Sequence, residues 1–152
     1  MIGVEPFLNG VASLFRHVEA EQLENVRVLQ GDARPLLPRL PEASVGRLFV
    51  LFPDPWPKTR HHRRRIVGPQ TLDAMARAMA DGAELRIATD HVDYGTWILR
   101  HVRAHPDFRW MARGPADWKT RPQDWPATRY ETKAGEAGRA CIYLRFERRR
   151  RG

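Results

Sequence analysis

Four carboxylates stand at the ends of four short apolar runs, and these positions suit a ligand site. Glu5, Asp32, Asp54 and Asp90 each end or follow a run that reads as a strand. In an open α/β sheet, ligands bind in the crevice beyond the carboxyl ends of the strands. Any one of these acids could equally cap a helix or form a turn. Their shared placement predicts a polar binding site.

Glu5 has a more specific interpretation. An acid at the end of the second strand of a nucleotide-binding half accepts hydrogen bonds from ribose hydroxyls. Such an acid normally stands about 20 residues after a glycine-rich turn. Only four residues precede Glu5. We therefore expect the first strand and its glycine-rich loop to be missing from this chain.

The segment "FPDPWPKTRHHRRR", residues 52–65, does not read as core. Pro53 and Pro55 restrict the backbone on both sides of Asp54, so its carboxylate is expected to point outward. Trp56 offers a flat face on which a base could stack, worth roughly 1–3 kcal/mol. A carboxylate also accepts hydrogen bonds from the N1–H and exocyclic amine of guanine. The segment therefore suits a guanine displayed by a folded RNA.

The second half of this segment is strongly basic. No acid occurs between Pro55 and Leu72, and Lys58 is followed by arginines and by His61 and His62. Such a run can neutralise phosphates, with an affinity that falls steeply as salt rises. The alternative is a proline-stiffened loop with a solvated basic face. The adjacent histidines lack metal-ligand spacing, so they are assigned to the basic face and no metal is expected.

Apolar runs alternate with amphipathic stretches along the chain. Strands are predicted at "IGVE", "VRVL", "RLFVLF", "ELRIATD" and "CIYLRFE"; helices are predicted over 11–18, 36–40, 72–79 and 92–102, with Gly82 capping the third. The alternation predicts an α/β fold with a mostly parallel, doubly wound sheet. The apolar run in "RLFVLF" predicts a strand covered on both faces. Trp110, Trp118 and Trp125 are expected to pack the late segment.

Length and charge restrict the classes of protein. The 152 residues fit one domain, and 42% hydrophobic content fits a folded chain. A net charge of +8 favours an anionic partner, nucleic acid before membrane. No apolar run approaches the ~20 residues that span a bilayer, and no signal-peptide pattern opens the chain. The single Cys141 excludes an internal disulfide, so packing and a cytoplasmic location are expected.

Five motifs, "GVEP", "GDA", "FPDPWPKTRHHRRRIV", "ATD" and "TRYE", occur in an order that resembles the bacterial tRNA (guanine-N7-)-methyltransferases. The resemblance covers nearly the whole chain. It implies a Rossmann-like S-adenosylmethionine-dependent methyltransferase fold. It also implies S-adenosylmethionine as cofactor, tRNA as partner, and methyl transfer to N7 of guanine 46 in the variable loop. A monomer is favoured for the full-length form.

The resemblance also implies roles for individual residues. Asp54 would lie at the catalytic centre near cofactor and base, Glu5 would contact the cofactor ribose, and Asp32 with Ala33 would contact the adenine region. Substrate contacts would come from Lys58, Asp90, Thr128, Arg129, Tyr130 and Glu131. RNA contacts would come from Arg60, His61, His62, Arg63, Arg64 and Arg65. The family usually carries Phe at position 130, and tyrosine keeps the aromatic face.

The beginning of the chain departs from the family pattern, which includes an N-terminal portion with the first strand and the glycine-rich loop. We therefore expect an N-terminally incomplete methyltransferase domain over 1–147 and a solvated basic tail over 148–152. Two alternatives stay open. One is a non-catalytic tRNA-binding remnant or a partner-completed fragment, and the other is a methyltransferase that acts on a different substrate.

Overall fold

Residues 1–39 form a βαβ unit. In the computed structural model, which describes residues 1–152, strand β1 (Ile2–Glu5) pairs in parallel with β2 (Arg27–Gln30). Helix α1 (Leu8–Ala20) connects them, as the helical spacing of its apolar residues predicts. A short 3-10 turn, Leu37–Arg39, ends the unit where a short helix is predicted.

Residues 40–152 form a second unit around a four-stranded sheet. Its strands are β3 (Val45–Leu51), β4 (Met79–Thr89), β5 (Phe108–Trp110) and β6 (Ile142–Arg148), in the order β3-β4-β6-β5. Its helices are α2 (Pro69–Ala78), α3 (Val92–Ala104), α4 (Ala116–Lys119) and α5 (Arg129–Glu136), with a 3-10 segment at Thr59–Arg64. Helices α2 and α3 pack on the sheet and bury Leu72, Met75, Ile98, Val102, Leu85, Ile87 and Phe146.

The α/β fold is confirmed, and the four-stranded sheet is mixed. The β1–β2 and β3–β4 pairings are parallel, whereas β6 runs antiparallel to both β4 and β5. The expectation of parallel pairing therefore holds for the strands that precede the acidic residues. It does not hold for the two pairings that β6 makes.

Strand β3 is not covered on both faces, contrary to the prediction. It forms one edge of its sheet and pairs only with β4. Val50 is buried, but Phe49 and Leu51 are 45% and 39% exposed. Because side chains alternate between the two faces of a strand, only one face of β3 is buried in the core.

Gly82 does not cap a helix. Helix α2 ends at Ala78, and Gly82 lies inside β4 with φ +78°. The pairing of β4 with β3 shifts register between Val45 and Arg47, which face Met79 and Glu84. The extra residues of β4 must bulge there, and glycine adopts the positive φ without steric cost.

Three of the four C-terminal arginines, Arg148, Arg149 and Arg151, are anchored by hydrogen bonds, so the prediction of a solvated, frayed tail is wrong for them. Arg148 ends β6, is 5% exposed, and donates from Nε to the carbonyl of Ala76 at 3.0 Å. Arg151 donates to the carbonyls of Ala76, Arg77 and Met79 at 2.8–3.2 Å. Since the last carbonyls of a helix lack partners within the helix, Arg148 and Arg151 serve as its cap.

Candidate functional site

Asp54 lies in a tight, strained loop that follows β3. The amide of Phe52 donates to the carbonyl of Ala88 at 2.8 Å, which fixes the start of the loop on β4. Phe52 and Trp56 have φ values of +48° and +43°. Such left-handed conformations cost about 1–3 kcal/mol each in a non-glycine residue, and they concentrate at functional sites. Between them Asp54 is exposed, and no group of the chain hydrogen-bonds its carboxylate.

Arg65 holds this loop from beneath. Its Nε donates to the carbonyl of Pro55 at 2.8 Å. Its guanidinium lies over the rings of Tyr94 and Trp97, 4.9 and 4.8 Å from their centroids. The side chain is 5% exposed, and burial lowers the pKa of Arg65. The protein therefore encloses the charged group of Arg65, and we assign this residue to holding the loop instead of the RNA contact that the resemblance implies.

Helix α3 fixes the other end of the basic segment through Val67. The Val67 amide donates to the hydroxyl of Tyr94 at 3.3 Å, and the indole of Trp97 donates to the Val67 carbonyl at 2.7 Å. Burial raises the pKa of Tyr94, so the hydroxyl stays neutral. The same two aromatic residues therefore hold both Arg65 and Val67.

The remaining cations of the segment face solvent. We call Lys58–Arg64 the basic loop; within it Lys58, Arg60 and Arg63 are exposed and form no ion pair. Arg64 is exposed too, with its guanidinium 4.8 Å from the ring centroid of Trp56. This contact occupies one face of the indole that was expected to take a base.

Both histidines of the basic loop make edge contacts with aromatic rings. The ring centroids of His61 and Trp56 are 5.8 Å apart, and those of His62 and Trp97 are 5.2 Å apart. Both are partly buried, so they shape the loop more than they extend its charged face. No group of three or more His, Cys, Asp or Glu side chains in residues 1–152 could hold a metal ion.

The late segment reaches the Asp54 loop through one stacked pair. The rings of Tyr130 and Phe52 are 5.9 Å apart and within 15° of parallel. Thr128 caps helix α5 by accepting from the Glu131 amide at 3.2 Å. Arg129 is exposed and unpaired. The structure therefore brings "TRYE" beside "FPDP", two motifs about 75 residues apart in sequence.

Glu131 is tied into the protein. Its Oε1 accepts from the hydroxyl of Tyr143 at 2.6 Å and from Nε of Arg121 at 3.1 Å. Burial and this bond to Glu131 raise the pKa of Tyr143. One carboxylate oxygen of Asp90 is also bound by the protein, since Oδ2 accepts from Nε of Arg139 at 2.7 Å. Asp54 and Asp90 follow adjacent parallel strands, as the sequence predicts.

Glu5 and Asp32 follow the parallel strands β1 and β2 of the first unit. Oε1 of Glu5 accepts from the Phe7 amide at 2.8 Å, and Oε2 has no hydrogen-bond partner. A Cβ at Gly10 would lie 3.0 Å from the Glu5 side chain, so glycine lets α1 pack against it.

The carboxylate of Asp32 is occupied by its neighbour. Nε of Arg34 donates to Oδ1 and Oδ2 at 3.0 and 2.8 Å, and the Arg34 amide donates to Oδ1 at 2.9 Å. The hydrogen bond from the Arg34 side chain lowers the pKa of Asp32. The carbonyl of Ala33 closes the following turn by accepting from Leu36 and Leu37, and its own amide has no partner in the chain.

Several residues that shape the site were missed from sequence. Tyr94 and Trp97 lie three residues apart on α3. This spacing places both side chains on one face of the helix, but it does not show which residues they contact. The buried charge of Arg86 in the core was missed as well: it is 2% exposed inside β4, where it pairs with Glu84 and Asp124 at 2.6 and 2.7 Å.

The late tryptophans and the cysteine mostly pack, as predicted. Trp125 is buried against Phe49 and Tyr143, and Trp110 contacts Phe146 at 4.9 Å. Cys141 packs on the cluster that contains Trp125. None of the helices combines the length and the apolar composition that a membrane-spanning helix requires.

Two known proteins with similar sequences share one name. The chain is 52% identical over 151 residues to a tRNA (guanine-N(7)-)-methyltransferase of Rhodospirillum rubrum, a match that covers 99% of this chain and 59% of the relative. It is 53% identical to the protein of that name from Paramagnetospirillum magneticum, covering 99% of this chain and 63% of the relative. The chain thus spans about three fifths of the length of these relatives.

Solved structures show the fold. An rRNA methylase from Streptococcus thermophilus superposes with a TM-score of 0.63 at 10% identity, covering 98% of this chain and 73% of that one. A SAM-dependent O-methyltransferase from Thermotoga maritima gives a TM-score of 0.57 at 14% identity, covering 99% and 50%. The fold is therefore the Rossmann-like fold of methyltransferases.

A family model described as "Putative methyltransferase" matches residues 1–144, which include all four strand-end acids, the basic loop and "TRYE". The match covers nearly the whole chain, so the protein belongs to this methyltransferase family.

Proposed function

We propose that this chain carries the guanine-binding and tRNA-binding machinery of a tRNA (guanine-N7-)-methyltransferase. The observation that carries the proposal is the unpaired carboxylate of Asp54, held in a strained loop directly before four exposed cations. Three of these cations form no ion pair, and the fourth, Arg64, lies over the Trp56 ring. The relatives named tRNA (guanine-N(7)-)-methyltransferase support the same substrate. The finer proposal is that guanine 46 of the variable loop is the methyl acceptor.

Asp54 would orient the base. A carboxylate accepts two hydrogen bonds at once, which matches the N1–H and exocyclic amine of guanine. N7 already carries a free lone pair, so its attack on a methyl carbon needs no general base. S-adenosylmethionine, when bound, would supply that methyl group from a sulfonium and leave as a neutral thioether. The chain's contribution is then alignment and exclusion of water.

The first unit offers groups that fit the cofactor. Oε2 of Glu5 is free to accept from ribose hydroxyls, and the amide of Ala33 is free to donate to an adenine edge. Asp32 is occupied by Arg34 on both oxygens, so we assign it to fixing the turn that presents Ala33.

The second unit would hold the RNA. Lys58, Arg60, Arg63 and Arg64 would contact phosphates, and His61 and His62 would set the path of the basic loop. Tyr130, stacked on Phe52, and the exposed Arg129 would flank the base, together with Asp90. Thr128 would act by holding α5 through its hydroxyl, and Glu131 would act by holding Tyr143 and Arg121 through Oε1.

Transfer of labelled methyl groups to different nucleic acids tests this proposal. The protein is incubated with methyl-labelled S-adenosylmethionine and either an unmodified tRNA transcript or duplex DNA. Label in tRNA alone is expected. Label in DNA alone would favour the methyltransferase with another substrate. Tight tRNA binding with no label in either would contradict the enzymatic proposal and favour a tRNA-binding role.

A further inference from the structure

The indole of Trp97 on α3 gathers a cluster of basic side chains beside the basic loop. Its N–H is fixed by the Val67 carbonyl at 2.7 Å. The ring centroids of His62 and His101 lie 5.2 and 4.1 Å from the centroid of this indole. The guanidinium carbons of Arg65 and Arg100 lie 4.8 and 5.3 Å from the same centroid. Residues from the basic segment and from α3 therefore share one ring.

The positive charge of this cluster is not balanced by a direct ion pair. Neither Arg65 nor Arg100 forms an ion pair, and Asp93 acts on Arg65 only at longer range. Burial, together with the charges of Arg100 and Arg65, lowers the pKa of His101. Like charges near one another repel, and a neighbouring anion relieves that repulsion.

Arg100 is the member of the cluster that can reach a partner. It is exposed, whereas Arg65 is buried. Its guanidinium lies over the Trp97 ring, so part of its conformational freedom is already lost in the free protein. A planar guanidinium positioned in this way suits a phosphate oxygen.

We propose that Arg100 extends the tRNA-binding surface from the basic loop onto α3 and contacts a backbone phosphate there. This inference rests on the proposed tRNA partner. It adds a contact from a helix about 40 residues further along the chain than the basic loop. The surface then comprises Lys58, Arg60, Arg63, Arg64 and Arg100.

Helix α3 supplies a matched control. Arg103 is exposed on the same helix and carries the same charge, but its side chain forms no hydrogen bond, ion pair or ring contact. Arg100→Ala and Arg103→Ala therefore remove the same charge from the same helix. Only the first removes a charge that is held over the Trp97 ring. Arg100→Gln retains the stem of the side chain and covers the case in which the alanine variant fails to fold.

The salt dependence of tRNA binding by the full chain distinguishes these variants. Loss of one phosphate contact decreases the magnitude of the negative slope of log K against log[salt] by about 0.7–0.9. We expect that decrease for Arg100→Ala and Arg100→Gln, and the wild-type slope for Arg103→Ala. Equal slopes for Arg100→Ala and wild type would overturn the inference while leaving the proposed function standing. Failure of the wild-type chain to bind tRNA would overturn both.

Discussion

Nε of Arg65 donates to the carbonyl of Pro55 at 2.8 Å, one residue after Asp54. The bond joins the last arginine of the basic segment to the loop that presents the candidate catalytic carboxylate. Because the guanidinium also lies between Tyr94 and Trp97, the position of the loop depends on α3. One buried arginine thus links the proposed base-binding and phosphate-binding parts of the second unit.

Arg65→Lys should weaken the fold and turnover without changing phosphate contacts. Lysine keeps the charge but loses the planar group between the two rings and the directed Nε bond. Loss of a buried, charged hydrogen bond is worth about 1.5–3 kcal/mol of unfolding free energy, measurable by denaturant titration. The salt slope of tRNA binding should equal that of wild type.

Arg63→Ala provides the opposite result in the same segment. Arg63 is exposed and unpaired, so its loss should leave the unfolding free energy within about 0.5 kcal/mol of wild type. The magnitude of the negative slope of log K against log[salt] should fall by about one unit. If Arg65→Lys lowered the slope as Arg63→Ala does, Arg65 would be an RNA contact after all.

Asp54→Asn should lower the rate of methyl transfer while tRNA binds with nearly the wild-type affinity. The amide replaces an acceptor by a donor on one side, which misorients a guanine edge that offers two donors. Misplacement of the reacting atoms by about 1 Å can cost about 100-fold in rate. Single-turnover kinetics at saturating tRNA measure this effect.

The pH profile of the same variant separates orientation from base catalysis. If Asp54 only orients the guanine, wild type should show no steep acid limb that Asp54→Asn lacks. An acid limb present in wild type and absent from Asp54→Asn would identify an essential ionised base and contradict the orienting role.

Protonation of His101 should lower the free energy of unfolding in mild acid. Burial and the neighbouring Arg100 and Arg65 lower its pKa in the folded state, so the unfolded chain binds the proton more readily. The stabilisation is complete above the unfolded pKa of about 6.5 and is lost as pH falls below it. One proton contributes a slope of at most about 1.4 kcal/mol per pH unit.

Urea titrations at pH 7, 6 and 5 measure this loss. His101→Gln should remove that part of the decline in unfolding free energy. His17→Gln on the exposed side of α1 is the control and should leave the decline in place. An unchanged decline in His101→Gln would show that other groups cause it.

Arg151→Ala should destabilise the second unit. Arg151 donates to three carbonyls at the end of α2 and pairs with Asp81, so its removal leaves those acceptors to water. A loss of about 1–3 kcal/mol is expected in thermal or denaturant unfolding. Arg150→Ala, which removes an exposed and unpaired neighbour, should change stability by less than about 0.5 kcal/mol. Equal stabilities of the two variants would show that the cap contributes nothing.

The sequence predicted what depends on local pattern. The strand-end positions of Asp54 and Asp90 follow from short apolar runs and two prolines, and the structure has them there. The fate of three consecutive arginines could not be predicted in this way. Arg63, Arg64 and Arg65 are the same residue type at consecutive positions, yet only Arg65 is buried, by aromatic rings that come from α3.

The same distinction explains the errors. Gly82 stands where a helix cap is common, but the strand that starts at Met79 requires a bulge there instead. Arg151 looked like a solvated tail because the carbonyls that it caps lie about 70 residues earlier in the chain. Long-range partners decided both positions.

Mapping the methylated nucleotide tests the central claim most directly. An unmodified tRNA transcript is treated with the protein and S-adenosylmethionine, and N7-methylguanosine is located by chemical cleavage at the modified residue. We predict one modified position, guanine 46, which disappears when that guanine is replaced by adenine. Methylation at another atom or another nucleotide, or no methylation of a tRNA that the protein binds, would contradict the account.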